Sequence, residues 1–323
     1  MNERLDGRTT RRGQRAHWQA ATVAVVCACY IAALWWIDRE NGTFRRLLDQ
    51  GGVLVLMLPL VLASYVVRYG RWRWLLRGRG HRLPWWPGFL AYLAGFALTA
   101  TPGKAGELLR IRYFERMGVP ASRTMAVFVF ERACDLLVIL LLSLLAARVF
   151  PTLGLLCVVV LAFVGVLFGF AAWPGSGRCF GWSAARLPEG PLRKMLSFIR
   201  NAVEDLARCL TWRSLALSML TGALAWGLTA LTFFGISSAL GIQGPLTALL
   251  GIYPLAMLMG ALSFVPGGVG TTELAIVLML GRLGVATPEA LAAAIGTRLV
   301  TLWFAITVGA LSALNLERHL IRT

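Results

Sequence analysis

Hydrophobic and polar positions alternate in long blocks along this chain of 323 residues. The apolar blocks are about 20 residues long, the length that a helix needs to cross the hydrocarbon core of a bilayer. They cover approximately residues 18–37, 51–69, 124–147, 152–173, 213–240 and 289–314. The pattern therefore predicts an all-α, polytopic membrane protein.

Two further apolar stretches, about 85–116 and 246–283, are interrupted near their middle by Pro-Gly and further glycines. These residues are Pro102, Gly103 and Gly106 in the first stretch, and Pro266, Gly267, Gly268 and Gly270 in the second. Proline removes a helical hydrogen-bond donor, and glycine admits backbone angles that other residues avoid. We therefore predict a re-entrant hairpin of two half-helices in each stretch.

The two halves of the chain also resemble each other. Pro102-Gly103 falls on Pro266-Gly267 at an offset of 164, and after a two-residue insertion Gly118-Val119 falls on Gly284-Val285 at an offset of 166. At the second offset Glu107 falls on Glu273, and Arg132 falls on Arg298. The topology that the charges predict below makes the span at 124–147 run outward and the matched span at 289–314 run inward. The repeat is therefore predicted to be inverted, an arrangement found in many secondary transporters.

Charge adds an orientation to this picture. The net charge is +17, and the only lysines are Lys104 and Lys194. The arginines lie in the short segments between apolar blocks, where the positive-inside bias and anionic headgroups account for them better than nucleic acid does. The densest basic segment holds Arg68, Arg71, Arg73, Arg77, Arg79 and Arg82. We expect both termini in the cytoplasm and, from the preference for arginine, a bacterial inner membrane.

These observations predict five regions. They are a basic cytoplasmic arm at 1–17, a first transmembrane half at 18–173, a basic cytoplasmic linker at 174–212, a second transmembrane half at 213–314 and a cytoplasmic tail at 315–323. Residues from about 190 to 210 mix apolar and charged positions at helical spacing. They form either an amphipathic helix on the membrane surface or a solvated connector. Eight tryptophans near predicted span ends are interpreted as interfacial anchors: Trp35, Trp36, Trp72, Trp74, Trp85, Trp86, Trp173 and Trp212.

Charged residues within predicted spans are the first candidates for a functional site, because charges in a bilayer are costly and usually face a cavity or a partner. Glu131, Arg132 and Asp135 lie about two turns inside one span, and Arg298 lies at a similar depth in the matched span. We expect them to bind substrate. The alternative is a purely structural ion pair between helices, for example Arg298 with Glu131.

The two Pro-Gly segments supply further candidates, because half-helix N-termini bind phosphate. The candidates are Lys104, Glu107 and Arg110, with Arg112 beyond them, in the first segment, and Thr271, Thr272 and Glu273 in the second. In the alternative interpretation the Pro-Gly breaks only shape the turn, and the two glutamates cap backbone donors. Glu107, Glu273 or Asp135 are also candidate proton carriers. The cysteine and histidine positions predict no metal site, and we expect no cofactor.

The chain resembles the flippase-like transmembrane family of lysylphosphatidylglycerol synthase over nearly its whole length. The likeness rests on Thr101-Pro102-Gly103-Lys104-Ala105-Gly106-Glu107, on Glu131-Arg132-x-x-Asp135 and on Pro266-Gly267-Gly268-Val269-Gly270 with Glu273. It implies a lipid-translocating unit, used in relatives for aminoacylated phosphatidylglycerol and suggested for polyprenyl-phosphate-linked sugars and hopanoid lipids. The family positions carried over are Lys104, Glu107, Arg110, Glu131, Arg132, Asp135, Glu273 and Arg298. No aminoacyl-transferase region follows before Thr323, so we expect no lysyl transfer.

The leading hypothesis is a flippase for an anionic phospholipid or a lipid-linked saccharide, working by alternating access and not as an enzyme. One alternative is a non-transporting partner of a lipid-modifying or cell-envelope glycosylation enzyme. The other is an intramembrane enzyme acting on a lipid phosphate, which the absence of histidine from the predicted spans disfavours. Membrane lipids are the expected partners, nucleic acid is not, and a homo-oligomer stays open.

Overall fold

The computed structural model describes residues 42–100, 108–147, 149–150 and 153–321. The predicted basic arm and the predicted span at 18–37 lie outside the described residues. So do five candidates of the first Pro-Gly segment: Pro102, Gly103, Lys104, Gly106 and Glu107.

The described residues form helices. In chain order they are α1 (Thr43–Asp49), α2 (Gly51–Arg77), α3 (Trp85–Ala94), α4 (Leu109–Arg116), α5 (Ala121–Ser143), α6 (Leu153–Ala172), α7 (Ser176–Ala185), α8 (Pro191–Cys209), α9 (Trp212–Ala239), α10 (Leu246–Leu262), α11 (Thr271–Arg282), α12 (Thr287–Arg298) and α13 (Phe304–Ile321). Short 3-10 turns follow α3 at Gly95–Leu98 and α5 at Leu144–Ala146, and another forms at Pro266–Gly268. A π-helical turn, Leu299–Trp303, joins α12 to α13.

The helical, multi-pass membrane class is confirmed. In the described part of the chain, four helical segments are long and apolar enough to cross a bilayer: Gly51–Arg77, Gly154–Ala172, Trp212–Ala239 and Thr287–Arg318. Large apolar side chains point outward from them; Val55, Leu155 and Val166 are each at least 66% exposed. In water such exposure is unfavourable, whereas lipid tails match these side chains.

The predicted Pro-Gly stretches are each two helices separated by a break. In the second stretch, α10 and α11 flank the break at 263–270 and pack against each other. In the first stretch, α3 and α4 flank a break that includes residues outside the description. Whether these units are re-entrant, and whether the two halves are inverted, stay predictions. The segment at 190–210 is the helix α8, which packs against α5 and α7.

Two hydrophobic cores meet at the middle of the molecule. One joins α2, α3 and α4 to the first half of α5, around Tyr69, Trp72 and Phe130. The other joins the second half of α5 to α9, α10, α11 and α12, around Phe233 and Ile252. Helix α5 belongs to both cores, so its central residues lie at their junction.

Helix α13 crosses the first break at Gly309, where only a hydrogen atom fits. A Cβ there would lie 2.3 Å from the Ala97 nitrogen and 2.7 Å from the Phe96 carbonyl carbon, both backbone atoms. We expect Gly309→Ala to lower the free energy of unfolding by about 2 kcal/mol, because the backbone of the turn cannot move aside cheaply. The thermal unfolding midpoint in detergent measures this.

Gly227→Ala in α9 is the matched control, since a Cβ at Gly227 meets nothing within 4 Å. Alanine favours a helix interior over glycine, so this midpoint should stay or rise. Equal midpoints for Gly309→Ala and the wild type would contradict the close packing of α13 on the break.

Candidate functional site: a buried arginine–carboxylate cluster

Helices α2 and α5 face each other through a buried ion-pair cluster. Arg68 Nη1 lies 2.7 Å from Asp135 Oδ2. Arg71 Nη2 lies 2.7 Å from Glu131 Oε1 and 2.9 Å from Asp135 Oδ1. Glu131 and Asp135 are four residues apart and share a helix face, as do Arg68 and Arg71 at a separation of three. The cluster therefore joins the two helices at the place where the two cores meet.

The prediction placed Arg68 and Arg71 in a basic loop, and this was wrong. Helix α2 continues to Arg77, about two turns beyond the predicted end of the span. Its buried positions include Val61, Tyr65, Arg68, Trp72 and Leu75, which recur every three or four residues. This helical spacing of aromatic and apolar residues was the signal that could have identified the two arginines as inward-facing.

Arg110 of α4 adds a third buried guanidinium, surrounded by aromatic rings. Its Cζ lies 4.3 Å from the ring centre of Tyr92 and 5.1 Å from that of Trp72, and its Nη1 is 3.7 Å from Glu131 Oε2. Such contacts stabilise a desolvated cation. Gly95 leaves the necessary space, since a Cβ there would lie 2.5 Å from Arg110 Nε. Trp72, predicted as an interfacial anchor, is fully buried in this cage.

Arg132 is the most accessible arginine of the cluster. Its Nη2 lies 3.4 Å from Glu131 Oε2 and 3.5 Å from Asp135 Oδ2, and its side chain is 23% exposed. The side chains of Arg71 and Arg110, in comparison, have no exposed surface. Arg132 therefore combines ion pairing within the cluster with a surface that a ligand can reach.

The second half places Arg298 against its own Pro-Gly segment. Arg298 Nε donates to Glu273 Oε1 over 3.1 Å, and its Nη2 donates to the Gly267 carbonyl. Glu273 Oε2 accepts from the Gly270 N–H at 2.9 Å, so it caps α11 as the alternative interpretation predicted. The suggested pair of Arg298 with Glu131 is wrong, because each has a partner within its own half.

The remaining candidates of this half have smaller roles. Thr271 Oγ1 donates to the Gly268 carbonyl over 3.1 Å and shapes the break. Thr272 is fully buried, and its hydroxyl has no hydrogen-bond partner within the described part of the chain. Arg112 does not reach the site: it is 55% exposed and pairs with Glu317 at 3.4 Å.

The π-helical turn Leu299–Trp303 lies directly after Arg298, next to the site. Tyr253 donates to Thr301 Oγ1 over 3.0 Å, and Tyr65 of α2 donates to the Thr301 carbonyl over 3.3 Å. π-Helical turns are rare and occur often at functional sites. Here the turn connects the second half to α2, the helix that carries Arg68.

A cavity of about 100 Å³ lies between the two halves, and we call it the central cavity. Its charged lining residues are Arg68, Arg132 and Arg298. Thr99 and Trp226 also line it; both are over nine-tenths buried, and the Thr99 hydroxyl and the Trp226 indole N–H have no hydrogen-bond partner among the described residues. Buried donors without partners are uncommon in proteins. The lining therefore suits a small anion that accepts hydrogen bonds.

An apolar groove of about 420 Å³ adjoins the central cavity. Helices α5, α6 and α10 and the second break form its walls, with Phe163 of α6 and Phe264 of the break at its exposed surface. Four residues line both spaces: Arg132, Trp226, Met257 and Gly267. A cationic cavity and an apolar groove thus meet at Arg132, an arrangement that suits an amphiphile.

The cluster is rich in arginine. Among the described residues, four guanidinium groups and two carboxylates belong to it. The arginines are Arg68, Arg71, Arg110 and Arg132, and the carboxylates are Glu131 and Asp135.

The two breaks approach each other beside the central cavity. A Cβ on Gly267 would lie 3.4 Å from the Cα of Ala100, the last described residue before 101–107. Gly267 itself has a φ of 62°, which glycine adopts without strain. The close approach places the described end of the first break near the Arg298 contact in the second.

The fold and the cluster together define a multi-pass helical membrane protein with a buried cationic site. The family model for the lysylphosphatidylglycerol synthase transmembrane region matches residues 19–309. The chain therefore belongs to this family, and the resemblance found in the sequence is confirmed.

One curated relative shows the same relationship over a short segment. The chain is 40% identical over 60 residues to the phosphatidylglycerol lysyltransferase of Staphylococcus xylosus. The aligned segment is 19% of this chain and 7% of that relative.

Proposed function

We propose that the protein is a lipid flippase that moves an anionic phospholipid, or a polyprenyl-phosphate-linked lipid, across the bacterial inner membrane. The observation that carries the proposal is the position of Arg132, at the junction of the cationic central cavity and the apolar groove. A lipid has the same two parts, a charged headgroup and an apolar chain.

The headgroup phosphate is assigned to the central cavity. Arg68, Arg132 and Arg298 supply charge-assisted donors, and Thr99 and Trp226 supply neutral hydrogen-bonding groups. Such charge-assisted bonds to phosphate are about twice as strong as neutral ones. The three arginines that line the central cavity favour a headgroup with a net negative charge over a zwitterionic one.

The acyl or prenyl chain is assigned to the apolar groove. The groove opens past Phe163 and Phe264, which are 58% and 76% exposed. A chain lying there would stay in contact with apolar surface while its headgroup crosses the polar interior. This avoids the cost of drawing hydrocarbon through a charged cavity.

Equivalent packing in the two halves supports alternating access. Helix α3 of the first half packs on α13, and its counterpart α10 in the second half packs on α5. These contacts are equivalent because the span that holds α5 matches the span that leads into α13. The matched helices α2 and α9 pack on each other. The ends of α4 and α11 are also alike: Gly118 and Gly284 have φ values of 81° and 82°. Pseudo-equivalent halves can exchange two arrangements around one site.

Phosphatidylglycerol is the first lipid to test. The name of the Staphylococcus xylosus relative contains this lipid, and its headgroup carries one phosphate with a net negative charge. We expect purified protein in liposomes to move fluorescent phosphatidylglycerol between leaflets faster than fluorescent phosphatidylcholine, scored by protection from an external quencher. Equal rates for both lipids would contradict charge selection, and no movement of either would favour the accessory-partner alternative.

A further inference from the structure

A second cationic pocket lies at the end of the bundle that we predict to face the cytoplasm. We call it the rim pocket; it has a volume of about 420 Å³. Four helix ends form it: the C-terminal ends of α2 and α8 and the N-terminal ends of α5 and α9. Its lining includes Trp74, Arg79, Arg123, Arg208, Thr211 and Arg213. None of these residues belongs to the central cavity or to the apolar groove.

The rim pocket is strongly positive. Four of its lining side chains are arginines, and none of these described lining residues is acidic. The carboxylate of Asp205, which is buried beside the pocket, lies 3.4 Å from Arg123 Nη2 and 3.9 Å from Arg208 Nη1. One negative charge therefore serves two arginines, while Arg79 and Arg213 add two more positive charges.

Contacts around the pocket hold its arginines in place. Arg79 Nη1 donates to the Leu75 carbonyl over 2.7 Å, which ties the guanidinium to the end of α2. Arg123 Nη1 lies 2.7 Å from His81 Nε2. Burial, and next the Arg123 charge, lower the pKa of His81, so its neutral ring accepts the hydrogen bond from Arg123. The pocket is thus partly preorganised before a ligand arrives.

Its aromatic neighbours place the pocket at the level of lipid headgroups. Trp74 lines the pocket and is 43% exposed, and Trp212, next to the lining residue Thr211, is 75% exposed. Exposed tryptophans in membrane proteins concentrate at the interface between headgroups and hydrocarbon. The first turn of α9 also begins at this end of the bundle. Its Ser214 N–H donates to Thr211 Oγ1, and the positive end of the helix dipole favours an anion.

We infer that the rim pocket binds the phosphate of an anionic phospholipid in the adjacent leaflet. The four arginines and the α9 N-terminus would hold the headgroup, while the exposed tryptophans contact the upper part of the chains. This site is separate from the central cavity, and the inference does not depend on the proposed transport function. It assigns a role in lipid binding to the C-terminal end of α8, in the predicted linker, and to the start of α9.

Native mass spectrometry of the full chain with phosphatidylglycerol tests this inference. The double variant Arg79→Gln/Arg213→Gln removes two guanidinium groups that make no ion pair with Asp205. We expect its affinity for phosphatidylglycerol at the rim pocket to fall about 30-fold, at about fivefold for each arginine removed near a membrane surface. Phosphatidylcholine binding should not change.

Matched controls separate this site from the rest of the protein. Arg112→Gln/Arg282→Gln removes two exposed arginines outside the pocket and should bind phosphatidylglycerol like the wild type. Arg132→Gln alters the central cavity and should retain the lipid bound at the rim. Where the double variant does not fold, Arg213→Gln alone is used, because Arg213 is exposed; a loss of about fivefold is then expected.

Two results would overturn the inference. The first is wild-type binding of phosphatidylglycerol by the folded rim variant, or an equal loss in the control double variant. The second is displacement of the rim lipid by inorganic phosphate at equal concentration, which would assign the pocket to soluble phosphate compounds instead of lipid.

Discussion

Replacing Arg132 by glutamine is expected to remove most of the movement of an anionic lipid and to leave the fold intact. The arginine lies where the central cavity meets the apolar groove, and 23% of its side chain is exposed. A hydrogen bond to a charged group contributes about 1.5–3 kcal/mol, so losing the contact with phosphate should slow transport about tenfold to a hundredfold. The initial rate of phosphatidylglycerol movement in liposomes measures this.

Two further variants separate charge from general damage. Arg132→Lys keeps the charge but not the planar fork, so it should restore part of the rate. Arg112→Gln removes an exposed arginine that pairs with Glu317 away from the site, and its rate should equal that of the wild type. A wild-type rate for Arg132→Gln would show that the headgroup does not pass through the central cavity.

Replacing Arg71 by methionine is expected to destabilise the protein more than any exposed substitution. Arg71 is fully buried and contacts Glu131, Asp135 and the Ser218 carbonyl. Without Arg71, Glu131 keeps longer ion pairs, at 3.4 Å to Arg132 and 3.7 Å to Arg110. Breaking a buried ion pair by removing one partner costs about 3–5 kcal/mol. We therefore expect a large fall in the thermal unfolding midpoint in detergent, with much of the protein lost during purification.

A surface pair provides the comparison. Arg200 and Glu204 are four residues apart on α8, 2.8 Å from each other and 47% and 38% exposed. Arg200→Met should cost no more than about 0.5 kcal/mol, because exposed pairs of this kind contribute little. The double variant Arg71→Met/Glu131→Gln should recover part of the loss, since it also removes the buried carboxylate that has lost its shortest ion pair. An unchanged midpoint for Arg71→Met would contradict the described cluster.

The membrane class followed from the apolar blocks alone, because burial in lipid requires long runs of apolar residues whatever their partners are. The central acidic residues were also predictable. Glu131 and Asp135 lie four apart in a block where charge is costly, so they had to face the protein interior. The Pro-Gly break at 266–268 was predictable for the same local reason, since its residues oppose a continuous helix.

The partners of the charges were not predictable from one sequence. Arg68 and Arg71 stand at the start of a basic run, and only the continuation of α2 to Arg77 makes them inward-facing. Which carboxylate pairs with Arg298 depends on how α11 and α12 pack, and sequence spacing cannot distinguish Glu273 from Glu131. Long-range pairing of this kind is set by tertiary structure.

The π-helical turn at Leu299–Trp303 was missed for a different reason. Its sequence continues the apolar pattern of the predicted span at 289–314, without proline or glycine to mark an irregularity. The contacts of Tyr65 and Tyr253 with Thr301 stabilise it. These contacts come from α2 and α10, which are distant in sequence, so local patterns hold no sign of the turn.

Photo-crosslinking in the apolar groove tests the central claim most directly, namely that the lipid phosphate binds at Arg132 while the chain lies in the groove. Phe163 lines the groove, so a benzophenone amino acid that replaces it would face a bound chain. The same amino acid in place of the exposed Phe170 of α6, which does not line the groove, is the control. We predict that Phe163 captures phosphatidylglycerol in preference to phosphatidylcholine, and that Arg132→Gln removes this preference. Equal capture of both lipids at both positions, unchanged by Arg132→Gln, would contradict the account.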